Sequence, residues 1–89
     1  MNIVWRARAR RDVDYAFAYI SRESPSGAQR IRSQILHSIE FLAEWPEMAP
    51  ATRDGFRELA VPRTKYVVIY RVTPPGIVIH RVMHASQRR

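Results

Sequence analysis

Apolar positions along this chain follow two periods. Between residues 9 and 45 they recur every three or four places: Ala9, Val13, Ala16, Phe17 and Ile20 in one stretch, then Ala28, Ile31, Ile35, Ile39 and Leu42 in a second, with Leu36 widening the second stripe. That spacing puts each set on one side of a helix. It predicts a first helix over about 7–21, with Asp12 and Asp14 in its first half, where carboxylates suit the helix dipole. A second helix starts at Ser24-Pro25, because Ser can cap free N–H groups and proline at the first helical position forfeits no hydrogen bond. Trp45-Pro46 ends it, since the residue before proline is pushed out of the helical region. Only residues 22–24 lie between the helices, which makes them an antiparallel hairpin.

From Phe56 onward the period falls to two. Tyr66 to Val72 is rich in β-branched and aromatic residues, the composition of a half-buried strand. Thr73-Pro74-Pro75-Gly76 is a turn, so Ile77 to Met83 is expected to pair back as an antiparallel hairpin. Phe56-Arg57-Glu58-Leu59 supplies a strand before them, and Ile3-Val4-Trp5 a short strand before the helices. The order is β-α-α-β-β-β. This is an α+β plan in which an N-terminal helical hairpin packs on one face of a mainly antiparallel four-stranded sheet, as one domain over 1–89. Strict alternation puts Val68, Tyr70 and Val72 on one face and Val67, Ile69 and Arg71 on the other. On the last strand Ile77, Ile79, Arg81 and Met83 then alternate with Val78, His80, Val82 and His84. An unpaired arginine is not expected to point into the helical layer, so Arg71 and Arg81 mark the open face. Residues 47–54 form a connection, and Ala85 to Arg89 a frayed basic tail.

Composition narrows the partners. The formal net charge is +7, from 15 basic and 8 acidic residues. All the basic residues but Lys65 are arginine. Such a surplus favours anionic partners, either nucleic acid or an acidic protein segment. With no cysteine, neither a disulfide framework nor a thiolate metal site is available. No apolar run approaches the ~20 residues of a membrane span and no signal-peptide stretch opens the chain, so a soluble, cytoplasmic protein is expected.

Candidate chemistry is limited. No Gly-rich phosphate loop, nucleophile elbow or paired-carboxylate pattern is present, so nucleotide hydrolysis is set aside. His37, His80 and His84 have no spacing that selects a metal, and neither metal nor cofactor is expected. A nuclease working through the substrate's own 2′-hydroxyl needs an acid, a base and phosphate clamps. His80, His84, Tyr66, Arg63, Lys65 and Arg71 are the residues available for those roles. His80 and His84 are expected on one strand face, roughly 13 Å apart. Trp5, Tyr15, Tyr19 and Trp45 are expected to pack rather than stack on bases, and Arg6, Arg8, Arg10 and Arg11 to form a solvated helix start.

Six stretches together resemble the RelE/ParE superfamily of bacterial toxins, and within it the ParE-like branch, often labelled plasmid stabilisation proteins. They are Ile3-Val4-Trp5, Ser24-Pro25, the run Ile39 to Met48, Phe56-Arg57-Glu58-Leu59, Tyr66 to Val72, and Ile79-His80-Arg81-Val82-Met83-His84. The resemblance implies a toxin encoded with, and neutralised by, an acidic, DNA-binding antitoxin. ParE-like members are associated with inhibition of DNA gyrase, whereas RelE-like members enter the ribosome and cut mRNA. Ribonuclease members typically carry an arginine shortly before the tyrosine of the third strand and a His or Tyr near the C-terminus. Here that strand position is Val67, no tyrosine follows Tyr70, and His84 is followed by Ala85 and Ser86. The expectation is therefore a toxin that acts by binding. Arg57, Arg63, Arg71, Arg81 and His84 are its candidate target contacts, and Phe17, Ile20, Ile35 and Ile39 its candidate antitoxin contacts. The alternatives are a ribosome-dependent endoribonuclease using His80 or His84 with Arg63, Lys65 and Arg71, or a non-toxic basic nucleic-acid-binding module.

Overall fold

A computed structural model describes residues 1–87. Its elements are β1 (Asn2–Trp5), α1 (Ala7–Ser21), α2 (Pro25–Glu44), β2 (Arg57–Ala60), β3 (Tyr66–Thr73), β4 (Gly76–His84) and a 3-10 turn, Ala85–Gln87. The expected order of strands and helices holds. Within the sheet the strands run β1-β4-β3-β2. β2 and β4 are antiparallel to β3, and β1 lies parallel to β4 on its outer side. At the start of α2 the Ser24 Oγ accepts a hydrogen bond from the Gly27 N–H at 3.0 Å, with Pro25 as the first helical residue. This is the cap that the Ser-Pro pair promised.

One face of the sheet is sealed by the helices. Ala9 and Val13 of α1 meet Ile35, Ile39 and Leu42 of α2 over Val68, Tyr70, Ile77, Ile79 and Val82, with Ile3, Trp5 and Leu59 at the margin. Tyr70 is fully buried and donates its hydroxyl to the Pro46 carbonyl at 2.7 Å. Burial raises its pKa, so it stays a protonated donor that ties the post-helical loop to the sheet. Arg57 holds the same loop from the β2 side, donating to the carbonyls of Glu47 and Ala49. Where β1 starts, Asn2 sits opposite Gly76. A Cβ on Gly76 would lie 2.7 Å from the Asn2 carbonyl oxygen, so only glycine admits this close approach.

The sequence pattern misplaces the second half of β4. Tyr70 pairs with Ile79, but Ile69 pairs with Arg81, leaving His80 as an extra residue. This β-bulge resets the alternation. Ile77 and Ile79 face the core before it, and Val82 faces the core after it. Arg81 therefore does not share a face with Ile77 and Ile79 as strict alternation requires. It joins His80 on the open side. His84 instead lies on the helix side, edge-on to the Tyr66 ring with centroids 5.4 Å apart. The expectation that His80 and His84 share a face is overturned.

The bulge falls where β1 runs out. The last β1 pairing is Trp5 with Ile79, closed by the Arg6 N–H donating to the Ile79 carbonyl at 3.0 Å. Beyond it, Asp12 of α1 takes over from the missing strand. Its Oδ2 accepts from the Val82 N–H at 2.9 Å and from Arg81 Nε at 2.8 Å, while Oδ1 accepts from Arg81 Nη2 at 3.2 Å. The carboxylate thus satisfies an edge amide and fixes a guanidinium in a two-pronged pair. That bond holds the Arg81 pKa above its ordinary value.

Two further expectations change. Tyr15, Tyr19 and Trp45 do not pack inside; they are 69%, 59% and 60% exposed. Tyr15 and Tyr19, one turn apart on the polar side of α1, stack on each other with centroids 6.4 Å apart. Residues 85–87 are not frayed: they form a 3-10 turn, tied at its start by the Ala85 N–H donating to the Lys65 carbonyl at 2.7 Å. Arg88 and Arg89 of the expected basic tail lie outside the described residues. Among the described residues, no helix is long and apolar enough to cross a membrane.

Two substitutions test this frame by denaturant unfolding. Leu42→Ala is expected to lose about 2–5 kcal/mol, as a fully buried leucine with little room to collapse. Asp12→Ala is expected to lose about 2–3 kcal/mol, because it orphans the Val82 N–H and unpairs Arg81. Asp12→Asn is expected to fall between that variant and the native chain. A loss for Asp12→Ala no larger than that of the exposed Asp14→Ala, within about 0.5 kcal/mol, contradicts the role given to the carboxylate.

Candidate functional site

The sheet face opposite the helices is basic and carries one tightly organised group. Phe56, just before β2, lies against Arg71 of β3, whose guanidinium carbon is 4.2 Å from the ring centroid. His80 meets the same ring edge-on, with centroids 4.7 Å apart. Arg71 Nη2 donates to the Asp54 carbonyl at 3.0 Å, and its Nε is buried with no acceptor among the described residues. The loop can present that carbonyl because Gly55 adopts a left-handed φ of 85°, which glycine tolerates without strain. A guanidinium stacked on an aromatic face and held at one end is pre-organised for recognition. Burial, followed by the charges of Arg6 and Arg71, lowers the His80 pKa below its ordinary value.

Beside this stack lies a hollow of about 420 Å³, bordered by Arg6, Arg8, Phe56, Ile69, His80 and Arg81. Arg6 and Arg8 come from the solvated start of α1, as the sequence anticipates. Their chemistry suits an anionic group laid over an apolar floor. A second hollow, of about 370 Å³, opens on the helix side among Asp12, Tyr15, Tyr19, Tyr66, His84 and Ser86. There the His84 Nδ1 lies 2.8 Å from the Ser86 hydroxyl.

The candidate residues of the sequence are thus dispersed. Arg71, His80 and Arg81 come together on the open face. Arg63 and Lys65 lie in the exposed turn between β2 and β3, next to His84 and Tyr66. Roughly 17 Å of strand separates Tyr66 from Arg71 at ~3.3 Å per residue. Arg57 is removed from the open face, since it pairs with Tyr70 and its side chain holds the loop at 47–49. Ile35 and Ile39 are 1% and 2% exposed and belong to the chain's own core. They cannot serve as antitoxin contacts while the fold is intact, whereas Phe17 and Ile20 remain partly exposed.

Arg63 has an unusual backbone. It adopts a left-handed φ of 63°, a conformation that costs an L-residue about 1–2 kcal/mol and that Gly or Asn accepts more readily. The turn is fixed from α2, with Gln34 Nε2 donating to the Pro62 carbonyl at 2.9 Å. Two residues of this surface had escaped the reading of the sequence. From sequence Phe56 reads only as a strand residue, and Asp12 only as a dipole partner. A lone aromatic beside a glycine turn gives no signal until the register puts it opposite Arg71.

With this geometry in view, comparison with known proteins is consistent along the whole chain. Residues 3–89 match the family model described as the ParE toxin of type II toxin–antitoxin system, parDE. Toxin RelE3 of Caulobacter vibrioides is 36% identical over 84 residues, covering 92% of this chain and 91% of the relative. Toxin RelE2 of the same organism is 34% identical over 86 residues, covering 97% of each. Among solved structures, a chain of a chromosomal ParDE system from P. aeruginosa superposes with a TM-score of 0.77 at 22% identity. The match covers 94% of this chain and 95% of that one, and shows a shared fold. The chain belongs to the ParE toxin family of type II toxin–antitoxin systems.

Proposed function

We propose that this toxin acts by binding DNA gyrase in the cytoplasm, without a reaction of its own, and is neutralised by a cognate antitoxin. The observation that carries the reading is the dispersal of titratable groups. Acid–base cleavage of RNA needs an acid, a base and cations around one phosphate. Here His80 and His84 lie on opposite faces of β4, and the Tyr70 hydroxyl is donated into the core. What remains on the open face is a recognition set: Arg71 stacked on Phe56, with Arg81 anchored by Asp12. Arg63 is a further target contact in this reading. Its strained backbone is kept with a long cationic side chain where glycine would fit better.

Neutralisation follows from charge. An acidic antitoxin segment fits a surface of this sign. Phe17, Ile20 and the exposed Tyr15–Tyr19 pair are the apolar positions of α1 left for it to cover.

A ribosome-dependent ribonuclease is the second reading, favoured by His80 lying beside a hollow lined with three arginines and by the RelE names of two relatives. Toeprinting on translating ribosomes separates the two. The gyrase reading expects no cleavage in the A site and inhibited supercoiling by purified gyrase; cleavage with unaffected gyrase reverses the assignment. A merely nucleic-acid-binding module would show salt-steep DNA or RNA binding and no growth arrest.

Two predictions bear on the surface itself. Arg63→Gly is expected to keep stability or gain up to about 1 kcal/mol while losing gyrase inhibition; full inhibition by this variant removes Arg63 from the contact. By NMR titration, His80 is expected to protonate below the ordinary value of ~6.5. The unfolded chain then binds this proton at higher pH than the folded one, so stability falls as pH drops through ~6.5 and below. A His80 midpoint at or above the ordinary value contradicts the packing described for its ring.

A further inference from the structure

A second, chemically opposite surface lies at the end of α2. The helix stops at Glu44 and the chain turns through Trp45 to Met48, leaving Phe41, Trp45 and Met48 at 41%, 60% and 60% exposure. They are neighbours in space as well as sequence. The Trp45 N–H donates to the Phe41 carbonyl at 2.9 Å and the Met48 N–H to the Trp45 carbonyl at 3.1 Å. Trp45 and Met48 border one hollow of about 340 Å³ with Glu44, Pro46 and Glu47. Met1 adjoins them, its backbone nitrogen donating to the Ala43 carbonyl at 3.1 Å. At these exposures the four side chains present on the order of 400 Å² of apolar surface, the size at which a patch on a monomer is usually functional.

The rim of this ridge is acidic in a chain that is otherwise strongly basic. Glu40, Glu44 and Glu47 are exposed, and none of their carboxylates has an ion pair or hydrogen bond among the described residues. Glu40 and Glu44 also sit in the last turns of α2, where the dipole is negative and no basic residue offsets them. Each is destabilising there by a few tenths to about 1 kcal/mol. The nearby cations are already engaged with backbone, the Met1 nitrogen on Ala43 and Arg57 on Glu47 and Ala49. Fold stability therefore does not explain these carboxylates.

We infer that the Phe41–Trp45–Met48 ridge is a docking surface for a basic amphipathic segment of a different protein. That segment carries Lys or Arg beside one or two large apolar side chains. The apolar anchors fill the hollow at Trp45 and Met48, and the cations meet Glu40, Glu44 and Glu47. An acidic segment is repelled here and directed to the arginine-rich surfaces. A two-fold contact between copies of this chain is disfavoured, because it sets the same carboxylates against each other. The inference is independent of whether gyrase or the ribosome is the target.

The test uses the isotope-labelled toxin and two synthetic amphipathic peptides of equal length and apolar content, one with a Lys/Arg polar face and one with a Glu polar face. The basic peptide is expected to shift the amides of residues 41–48 and the Trp45 indole. Its affinity should drop on the order of tenfold, about 1.4 kcal/mol, in both Trp45→Ala/Met48→Ala and Glu44→Lys/Glu47→Lys. All four positions are exposed, and amide spectra of the free variants verify that the fold is kept. Three results overturn the proposal: no shift at residues 41–48 with the basic peptide, equal binding there by the acidic one, or shifts at Trp45 on raising toxin concentration alone, which would assign the ridge to a second copy.

Discussion

The structure turns on a single extra residue. β4 would be a regular strand if His80 were absent; with it, the register slips by one against β3 exactly once along the strand's length. An inserted residue of this kind leaves an amide without a ladder partner and bends the strand. Beside the bulge, where β1 has run out, Asp12 accepts from the Val82 N–H and clasps Arg81. The carboxylate thereby couples the first helix to the edge that β1 fails to cover. Val82 returns to the core while His80 and Arg81 stay outside. The candidate side chains of β4, His80, Arg81 and His84, take their direction from this insertion.

Much of the architecture was legible because it rests on strong local signals. Ser24-Pro25 and Trp45-Pro46 fixed the ends of α2, the Pro-Pro-Gly turn fixed the hairpin, and the apolar stripes fixed the buried faces of both helices. The bulge was not legible. Nothing in Ile79-His80-Arg81-Val82 distinguishes an inserted residue from a continuing alternation, since Arg81 is tolerable on either face until its partner is known. That partner, Asp12, is 69 residues away. The same reason hid Phe56, whose contact with Arg71 exists only through register. Ile35 and Ile39 illustrate the reverse error: an apolar stripe announces burial, and here the burial is satisfied within the chain itself. Tyr15 and Tyr19 invite a packing role because they are aromatic, although their helical phase puts them away from Val13 and Phe17.

The proposed function rests on how the charges are distributed. The arginines are differently restrained: on the open face Arg71 by an aromatic ring and a loop carbonyl and Arg81 by a carboxylate, and away from it Arg57 by the loop it supports. Restrained cations give specificity because little side-chain freedom is lost on contact. The groups able to move protons are held apart by the same frame. One chain therefore offers a basic open face, an aromatic hollow beside α1, and an acid-rimmed apolar ridge at the end of α2, three surfaces of different chemistry on 89 residues.

The most direct test of a toxin that recognises its target without proton transfer is growth arrest on expression of a folded His80→Gln/His84→Gln double variant without antitoxin. Arrest should persist, with at most a modest loss of potency from the altered contacts. A double variant that is folded but inert, beside an Arg71→Ala variant that still arrests growth, would contradict recognition by the open face and assign the activity to the histidines.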